Sequence, residues 1–146
     1  MTKLNHSTAA LKICVDRATG EGISGRVFSQ RLTRPMPFTD IGSLLLQLEA
    51  VLDAQNFPQA FQRTRTFNPG KRSHVPAADA LEDGMSPAEV EGAQGQAGTF
   101  MLYIITRRNT TWQGFIDWLD GSPRVEYHSV LELLKLADEH VFDPRQ

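Results

Sequence analysis

Residues 101–137 read MLYIITRRNTTWQGFIDWLDGSPRVEYHSVLELLKLA. Two runs rich in β-branched, aromatic and aliphatic residues, 101–107 and 112–119, flank a short polar segment, which predicts two strands joined by a turn. Asp120-Gly121-Ser122-Pro123 is a strong turn signal, because glycine accepts positive φ and proline cannot join a hydrogen-bonded ladder. A short third strand is predicted at 124–127.

A helix is predicted directly after this third strand. Ser129 is suited to cap its N-terminus, and Glu132, three residues later, completes the pattern of a capping box. The following apolar residues recur at helical spacing and form one stripe, which comprises Val130, Leu133, Leu134, Ala137 and Val141. The segment therefore predicts a unit of three strands and one helix.

The same pattern occurs earlier in the chain. When residues 12–57 are laid on residues 101–146 without a gap, Gly25 falls on Gly114, and Leu44 and Leu45 fall on Leu133 and Leu134. Strands are predicted at 11–17, 23–32 and 35–38, with Asp40 as the cap of the following helix. The apolar stripe of that helix comprises Ile41, Leu44, Leu45, Leu48 and Leu52. This correspondence indicates an internal repeat.

The predicted fold class is α+β, in a single domain spanning residues 1–146. Two pseudo-symmetric β-β-β-α repeats, at 11–57 and 100–146, are expected to share one antiparallel sheet of five or six strands with both main helices on one face. One unit by itself is near the size at which isolated domains become marginal. Two units on a common sheet solve that problem, either within a monomer with a pseudo-two-fold axis or in a homodimer.

The segment between the repeats has a different composition. Residues 68–98 are rich in Gly, Pro, Ala and acidic residues, so a flexible linker or exposed excursion is predicted there. Ser86-Pro87 is a suitable start for a short helix within it. Residues 57–67 alternate enough to predict one more short extended segment.

Composition limits the compartment and the chemistry. Cys14 is the single cysteine, and the first ten residues contain no apolar core of a signal peptide. No apolar run approaches 18 residues, so a cytoplasmic protein without membrane contact is expected. The four histidines are scattered, and no nucleophile, phosphate-loop or metal-ligand motif is present. We therefore predict no catalytic residue, cofactor or metal, and a buried inert thiol at Cys14.

The stretch Asn109-Thr110-Thr111-Trp112-Gln113-Gly114, with Trp118 and the later Ser129-Val130-Leu131-Glu132-Leu133-Leu134, resembles a family of small uncharacterised bacterial proteins, largely from Firmicutes. Their signature is N-x-[ST]-W-Q-G…W followed by an S-x-L-E-L-L helix. The resemblance covers roughly the C-terminal third of the chain and implies no particular chemistry. The first repeat has Ile23-Ser24-Gly25 where the second has Trp112-Gln113-Gly114.

The leading functional prediction is a non-catalytic protein-interaction or assembly module that presents an aromatic sheet face. In the strand at 112–119, Trp112, Ile116 and Trp118 share one face and Phe115 and Leu119 share the other, so both faces carry large apolar groups. Tryptophan is enriched in interface hot spots. The alternative is that other parts of the same chain cover both faces of the sheet. The predicted partner-binding residues are Trp112, Gln113, Trp118, Tyr103 and Arg107.

Two other functional classes stay open at this point. Residues 1–74 hold ten Lys/Arg against five Asp/Glu, whereas residues 75–146 hold five against twelve. The basic first half with interleaved phenylalanines is compatible with a nucleic-acid-associated regulator, although the acidic second half would repel phosphates. A small enzyme without a recognisable motif is the third alternative.

Overall fold

The computed structural model describes residues 5–6, 8–19, 22–58, 75–108 and 111–140. Six strands form one antiparallel sheet in the order β3-β2-β1-β4-β5-β6. They are β1 Leu11–Thr19, β2 Gly22–Phe28, β3 Met36–Phe38, β4 Gly98–Thr106, β5 Gln113–Asp117 and β6 Val125–Tyr127. The helices are α1 Ile41–Gln55, α2 Pro87–Gly92 and α3 Val130–His140, with a 3₁₀ turn at Leu81–Asp83. The predicted α+β class with a single antiparallel sheet is confirmed.

Alternation along the strands gives the sheet two distinct faces. The inner face carries most of the buried apolar side chains of the strands; its members include Ile13, Val27, Leu102, Ile104 and Ile116. The outer face carries the residues between them, including Lys12, Cys14, Met101, Tyr103 and Phe115. The hydrophobic core therefore lies mainly on the inner side of the sheet.

The N-termini of both long helices are capped by their own side chains. The backbone N–H of Ser43 donates to Asp40 at 2.7 Å, and Ser43 closes a capping box at the start of α1. At α3, the backbone N–H of Glu132 donates to Ser129 at 3.0 Å, as predicted. The Glu132 carboxylate instead accepts from the backbone N–H of His128 at 2.9 Å, one residue before the expected partner.

The second strand is shorter than the pattern predicts. It ends at Phe28 rather than at residue 32, because the chain turns at Ser29–Arg31. Leu32 then forms an isolated bridge with Ala77, and Ser29 donates to the carbonyl of Ala10 at 2.7 Å. Turn formation at 29–31 carries Arg31 into the interior, which strand periodicity alone does not indicate.

Residues 75–98 pack against the rest of the chain instead of forming the predicted exposed excursion. Ser86 caps α2 and Pro87 occupies its first turn, as the sequence indicates. Met85, Val90 and Ala93 are buried. This segment covers the outer face over β1, since the ammonium of Lys12 donates to the α2 carbonyl of Val90 at 3.0 Å. Residues 68–74 and most of the predicted extended segment at 57–67 lie outside the described residues.

None of the helices in the described part of the chain combines the length and apolarity that a membrane span requires.

The burial of Tyr127 on the inner face should make the stability of the protein depend on pH. Tyr127 is 1% exposed, its hydroxyl donates to the carbonyl of Tyr103 at 2.8 Å, and burial raises the pKa of the phenol above its ordinary value of 10.0. The folded state keeps this proton when the unfolded state loses it, so stability falls as pH rises through about 10. We expect Tyr127→Phe to be about 1 kcal/mol less stable than wild type at pH 8.

The difference in the free energy of unfolding between wild type and Tyr127→Phe should narrow between about pH 9 and 11. Only the wild type has a Tyr127 hydroxyl, which loses its proton in the unfolded state over this range. Denaturant unfolding midpoints at each pH measure this difference. A difference that stays constant over this range would show that Tyr127 ionises equally in both states.

Candidate functional site

Two aromatic rings stack on the outer face of the sheet. Tyr103 of β4 and Phe115 of β5 are directly paired in the ladder, with ring centroids 4.4 Å apart and ring planes inclined by 23°. The guanidinium of Arg124, just before β6, lies 4.2 Å from the Phe115 centroid and 5.7 Å from that of Tyr103. This geometry is a cation–π contact added to a cross-strand aromatic pair. We call these three residues, with Met101, the aromatic face.

The aromatic face is the half of the outer sheet surface that α2 does not seal. Over β1, Cys14 is fully buried, whereas Met101, Tyr103 and Phe115 on β4 and β5 are only half-buried and Arg124 is exposed. Asp117 and Glu126 lie on the same side of the sheet, where Glu126 is paired with Phe115. The surface thus combines an apolar centre with charges of both signs.

Trp112 does not contribute to this surface. Its side chain is 3% exposed, and its indole Nε1 donates to the Glu49 carboxylate of α1 at 2.8 Å. The Trp112 ring is therefore buried by other parts of the chain, and its N–H has its hydrogen-bond acceptor within the chain. Trp112 fastens the beginning of β5 to the middle of α1.

Trp118 is likewise buried, with 4% of its surface exposed and its ring 5.7 Å from that of Phe100. Trp112 and Trp118 share the parity of Ile116, which belongs to the inner face. The interpretation in which the two indoles form an exposed contact surface is therefore corrected. Phe115, on the opposite parity, is the aromatic residue of this strand that reaches the open side.

Gln113 braces the connection between β4 and β5. Its amide oxygen accepts from Thr106 at 2.7 Å and from the backbone N–H of Arg108 at 2.9 Å. Its amide nitrogen donates to the carbonyl of Arg108 at 3.0 Å and to that of His128 at 3.4 Å. The side chain uses its hydrogen-bonding capacity inside the chain, so a structural role accounts for this predicted residue.

Arg107 is also internal, with 4% exposure. Its guanidinium donates to the carbonyl of Pro58 at 2.7 Å and to Asp53 at 2.7 Å, and lies 3.8 Å from Glu49. Arg107 and Trp112 therefore meet at the same α1 carboxylate. Of the five predicted partner-binding residues, the structure brings these two together, while Tyr103 alone lies in the aromatic face.

Phe115 and Arg124 were missed as candidates, although a signal for Phe115 exists in the sequence. The alternation that predicts two faces for β5 puts Phe115 opposite to Trp112. Choosing between the two faces requires knowing which one the helices cover. Arg124 carries no such signal, because its position over two rings depends on the ladder register.

The described basic residues of the first half do not form a continuous stripe. Lys12 is buried under α2, and Arg26 is paired with Asp16 at 2.8 Å. Arg31 is 1% exposed, donates to Gln55 at 2.7 Å, and has its pKa lowered to about 10 by burial and by the nearby charge of Arg107. Of the remainder, Arg17 and Arg34 are exposed. Five more basic residues lie outside the described part: Lys3, Arg63, Arg65, Lys71 and Arg72.

Reactive groups are sparse in the described part of the chain. Cys14 is fully buried as predicted, and burial raises the pKa of its thiol above the ordinary 9.0, which keeps it in the unreactive protonated form. Within these residues, no three His, Cys, Asp or Glu side chains converge in an arrangement suited to a metal ion. The aromatic face is therefore the candidate functional site.

Comparisons with known proteins found no match to a family model, a curated protein or a solved structure.

Proposed function

We propose that this protein is a non-catalytic interaction module whose aromatic face binds another protein. The observation that carries the proposal is the half-exposed Tyr103–Phe115 stack under the exposed guanidinium of Arg124. A partner of fitting chemistry presents an apolar centre, a carboxylate for Arg124, and a basic group for Asp117 or Glu126. Aromatic and arginine side chains supply much of the binding energy in such contacts.

The arrangement of the aromatic face supports a protein partner over nucleic acid. Stacking of Tyr103 on Phe115 uses one face of each ring, and Arg124 lies over both rings. A nucleobase needs a free ring face, and the neighbouring carboxylates of Asp117 and Glu126 repel phosphates. The alternative of a nucleic-acid-associated regulator depends on the five basic residues of the first half that lie outside the described part.

We also infer that the chain consists of two copies of one β-β-β-α unit. Several irregular features recur at positions that coincide when residues 12–57 are laid on 101–146. β1 is bulged between Val15 and Arg17, and β4 is bulged between Ile104 and Thr106. Lys12, which coincides with Met101, also pairs with Met101 where the two units meet, as a two-fold axis between β1 and β4 requires.

The two mid-strand glycines support the same inference. Gly25 pairs with Phe38 of β3, and Gly114 pairs with Tyr127 of β6, so each glycine faces an aromatic residue on an edge strand. A Cβ at Gly25 would lie 2.0 Å from the carbonyl oxygen of Cys14, and one at Gly114 would lie 1.9 Å from that of Tyr103. Such close backbone approaches at matching positions are difficult to explain by separate origins.

Placement of both long helices on the inner side is part of this inference. A small apolar cavity is lined together by Leu44 and Leu48 of α1, Leu133 of α3, and inner-face residues such as Ile13 and Leu102. Two helices that share a cavity with one sheet face pack on that face. This arrangement leaves the aromatic face on the other side, open to a partner.

Site-specific photocrosslinking tests the interaction. A photoreactive phenylalanine analogue replaces Phe115 in the full chain, expressed in the cytoplasm, the compartment that the sequence predicts. The matched control places the same analogue at Leu46, an apolar α1 position that is 76% exposed. We expect one discrete adduct from position 115 and none of the same mass from position 46. Arg124→Glu should weaken that adduct severalfold, because it reverses the central charge.

Identical adducts from both positions, or none from folded protein at position 115, would contradict the proposal. An adduct of twice the monomer mass identifies the partner as a second copy and supports the assembly form of the proposal. An adduct that nuclease digestion removes would replace it with the nucleic-acid alternative. Circular dichroism of each variant confirms that the fold is intact.

A further inference from the structure

A cleft of about 340 Å³ opens beside β1 and β4, and the residues of the aromatic face do not line it. It lies between the chain that follows α2 and the chain that follows β5. Its lining includes Lys12, Gly95, Thr99, Trp118, Leu119 and Asp120. Its volume is at the lower end of the range for pockets that hold small molecules.

Lys12 places a positive charge in the wall of this cleft. The residue is 6% exposed, and its Nζ donates to the carbonyls of Val90 at 3.0 Å and Glu91 at 2.8 Å. An ammonium group has three hydrogens to donate. Among the residues that the structure describes, the third hydrogen has no acceptor and no carboxylate lies within 4.0 Å of Nζ. Buried charges are usually paired, so an anion is the missing complement.

Thr99 provides a second donor in the same cleft. Its Oγ1 accepts from the backbone N–H of Gly95 at 2.8 Å, which leaves the hydroxyl hydrogen to point elsewhere. No acceptor for that hydrogen occurs in the described ranges. Lys12 pairs with Met101 and Cys14 pairs with Thr99, so Lys12 and Thr99 are diagonal neighbours on the outer face. Such neighbours are about 7–8 Å apart, which a lysine side chain can span.

The remaining walls restrict the kind of anion. Leu119 is 48% exposed and offers an apolar surface, next to the buried ring of Trp118. Asp120 adds a negative charge to the lining. A single carboxylate attached to an apolar group fits both parts of the cleft, the donors of Lys12 and Thr99 and the apolar side chain of Leu119.

We propose that this cleft is a binding site for a small molecule with one carboxylate attached to an apolar group. The carboxylate accepts hydrogen bonds from Lys12 Nζ and Thr99 Oγ1, and the apolar part lies against Leu119. The site is independent of protein binding at the aromatic face.

Benzoate is the probe, titrated into the ¹⁵N-labelled full chain while amide chemical shifts are recorded by NMR. We expect saturable shifts centred on the amides of Gly95 and Thr99, with a dissociation constant of about 1 mM for a ligand of this size. Thr99→Val should weaken binding about tenfold, because a charge-assisted hydrogen bond is lost, while Thr99→Ser should retain it. Lys12→Met should abolish it.

The threonine pair keeps the test interpretable even if Lys12→Met disturbs α2. Benzyl alcohol, which lacks the carboxylate, should bind at least tenfold more weakly than benzoate. Shifts that grow linearly without saturation, equal affinity in Thr99→Val, or equal affinity for benzyl alcohol would overturn the proposal. Tighter binding of inorganic phosphate than of benzoate would also overturn it.

Discussion

Gly114→Ala should destabilise the protein by about 3 kcal/mol or prevent its folding, because overpacking of this kind cannot be relieved by a rotamer change. An added Cβ would lie 1.9 Å from the backbone oxygen of Tyr103 and 2.9 Å from the Tyr127 hydroxyl. The neighbouring strand would have to move, which breaks the ladder between β4 and β5. Chemical denaturation of wild type and variant measures the loss in the free energy of unfolding.

Gly92→Ala is the matched control, since nothing lies within 4 Å of the Cβ position at the last residue of α2. Its stability should stay within about 0.5 kcal/mol of wild type, as for most surface substitutions. Gly25→Ala should behave like Gly114→Ala, because its Cβ would lie 2.0 Å from the oxygen of Cys14. A wild-type unfolding midpoint for Gly114→Ala would mean that the strands are farther apart than described.

Trp112→Ala is expected to cost about 3–5 kcal/mol, the range for removal of a buried aromatic side chain. The indole is 3% exposed and also donates to Glu49, so the substitution leaves a cavity and detaches β5 from α1. Trp112→Phe keeps part of the ring volume and loses the hydrogen bond. We expect it to cost less than half as much, because Glu49 is 46% exposed and can be hydrated.

The control for Trp112→Ala is Leu131→Ala, at an α3 position that is 75% exposed. This substitution should change the free energy of unfolding by no more than about 0.5 kcal/mol. Thermal or denaturant unfolding of the three variants gives the comparison. Equal losses for Trp112→Ala and Leu131→Ala would show that the indole is not part of the core.

The motif Thr111-Trp112-Gln113-Gly114 is explained by architecture at each of its four positions. Thr111 Oγ1 accepts from the backbone N–H of Val130 at 2.8 Å and so holds the start of α3. Trp112 holds α1, Gln113 closes the connection from β4, and Gly114 allows the Tyr127 hydroxyl to reach β4. A motif in which each residue has a structural role does not require a ligand.

The two proposals concern neighbouring regions of one surface and make separate predictions. The aromatic face is built by β4, β5 and Arg124, and the cleft by Lys12, Thr99 and the chain around Trp118. A variant that loses the crosslink at position 115, such as Arg124→Glu, is expected to bind benzoate with the affinity of wild type. Thr99→Val, which is expected to weaken benzoate binding, should still give the crosslink at position 115.

Local chemistry in the sequence determined the elements of this protein. Apolar alternation and turn residues located the strands, Asp40 and Ser129 located the starts of α1 and α3, and Ser86-Pro87 located α2. These signals depend on residues close together in the chain, so periodicity and capping rules are sufficient to detect them. The α+β class with one antiparallel sheet followed from them.

Only the tertiary structure decided which side chains are available to another molecule. Trp112 and Phe115 are large aromatic residues close together in the chain. Trp112 is buried and donates to the Glu49 carboxylate of α1, whereas Phe115 stacks on Tyr103 on the open side of the sheet. The burial of Arg31 and Arg107, and the packing of 75–98 over β1, likewise arise from contacts between distant parts of the chain. Exposure is a property of the assembled layers, because it depends on what covers a residue rather than on its own chemistry.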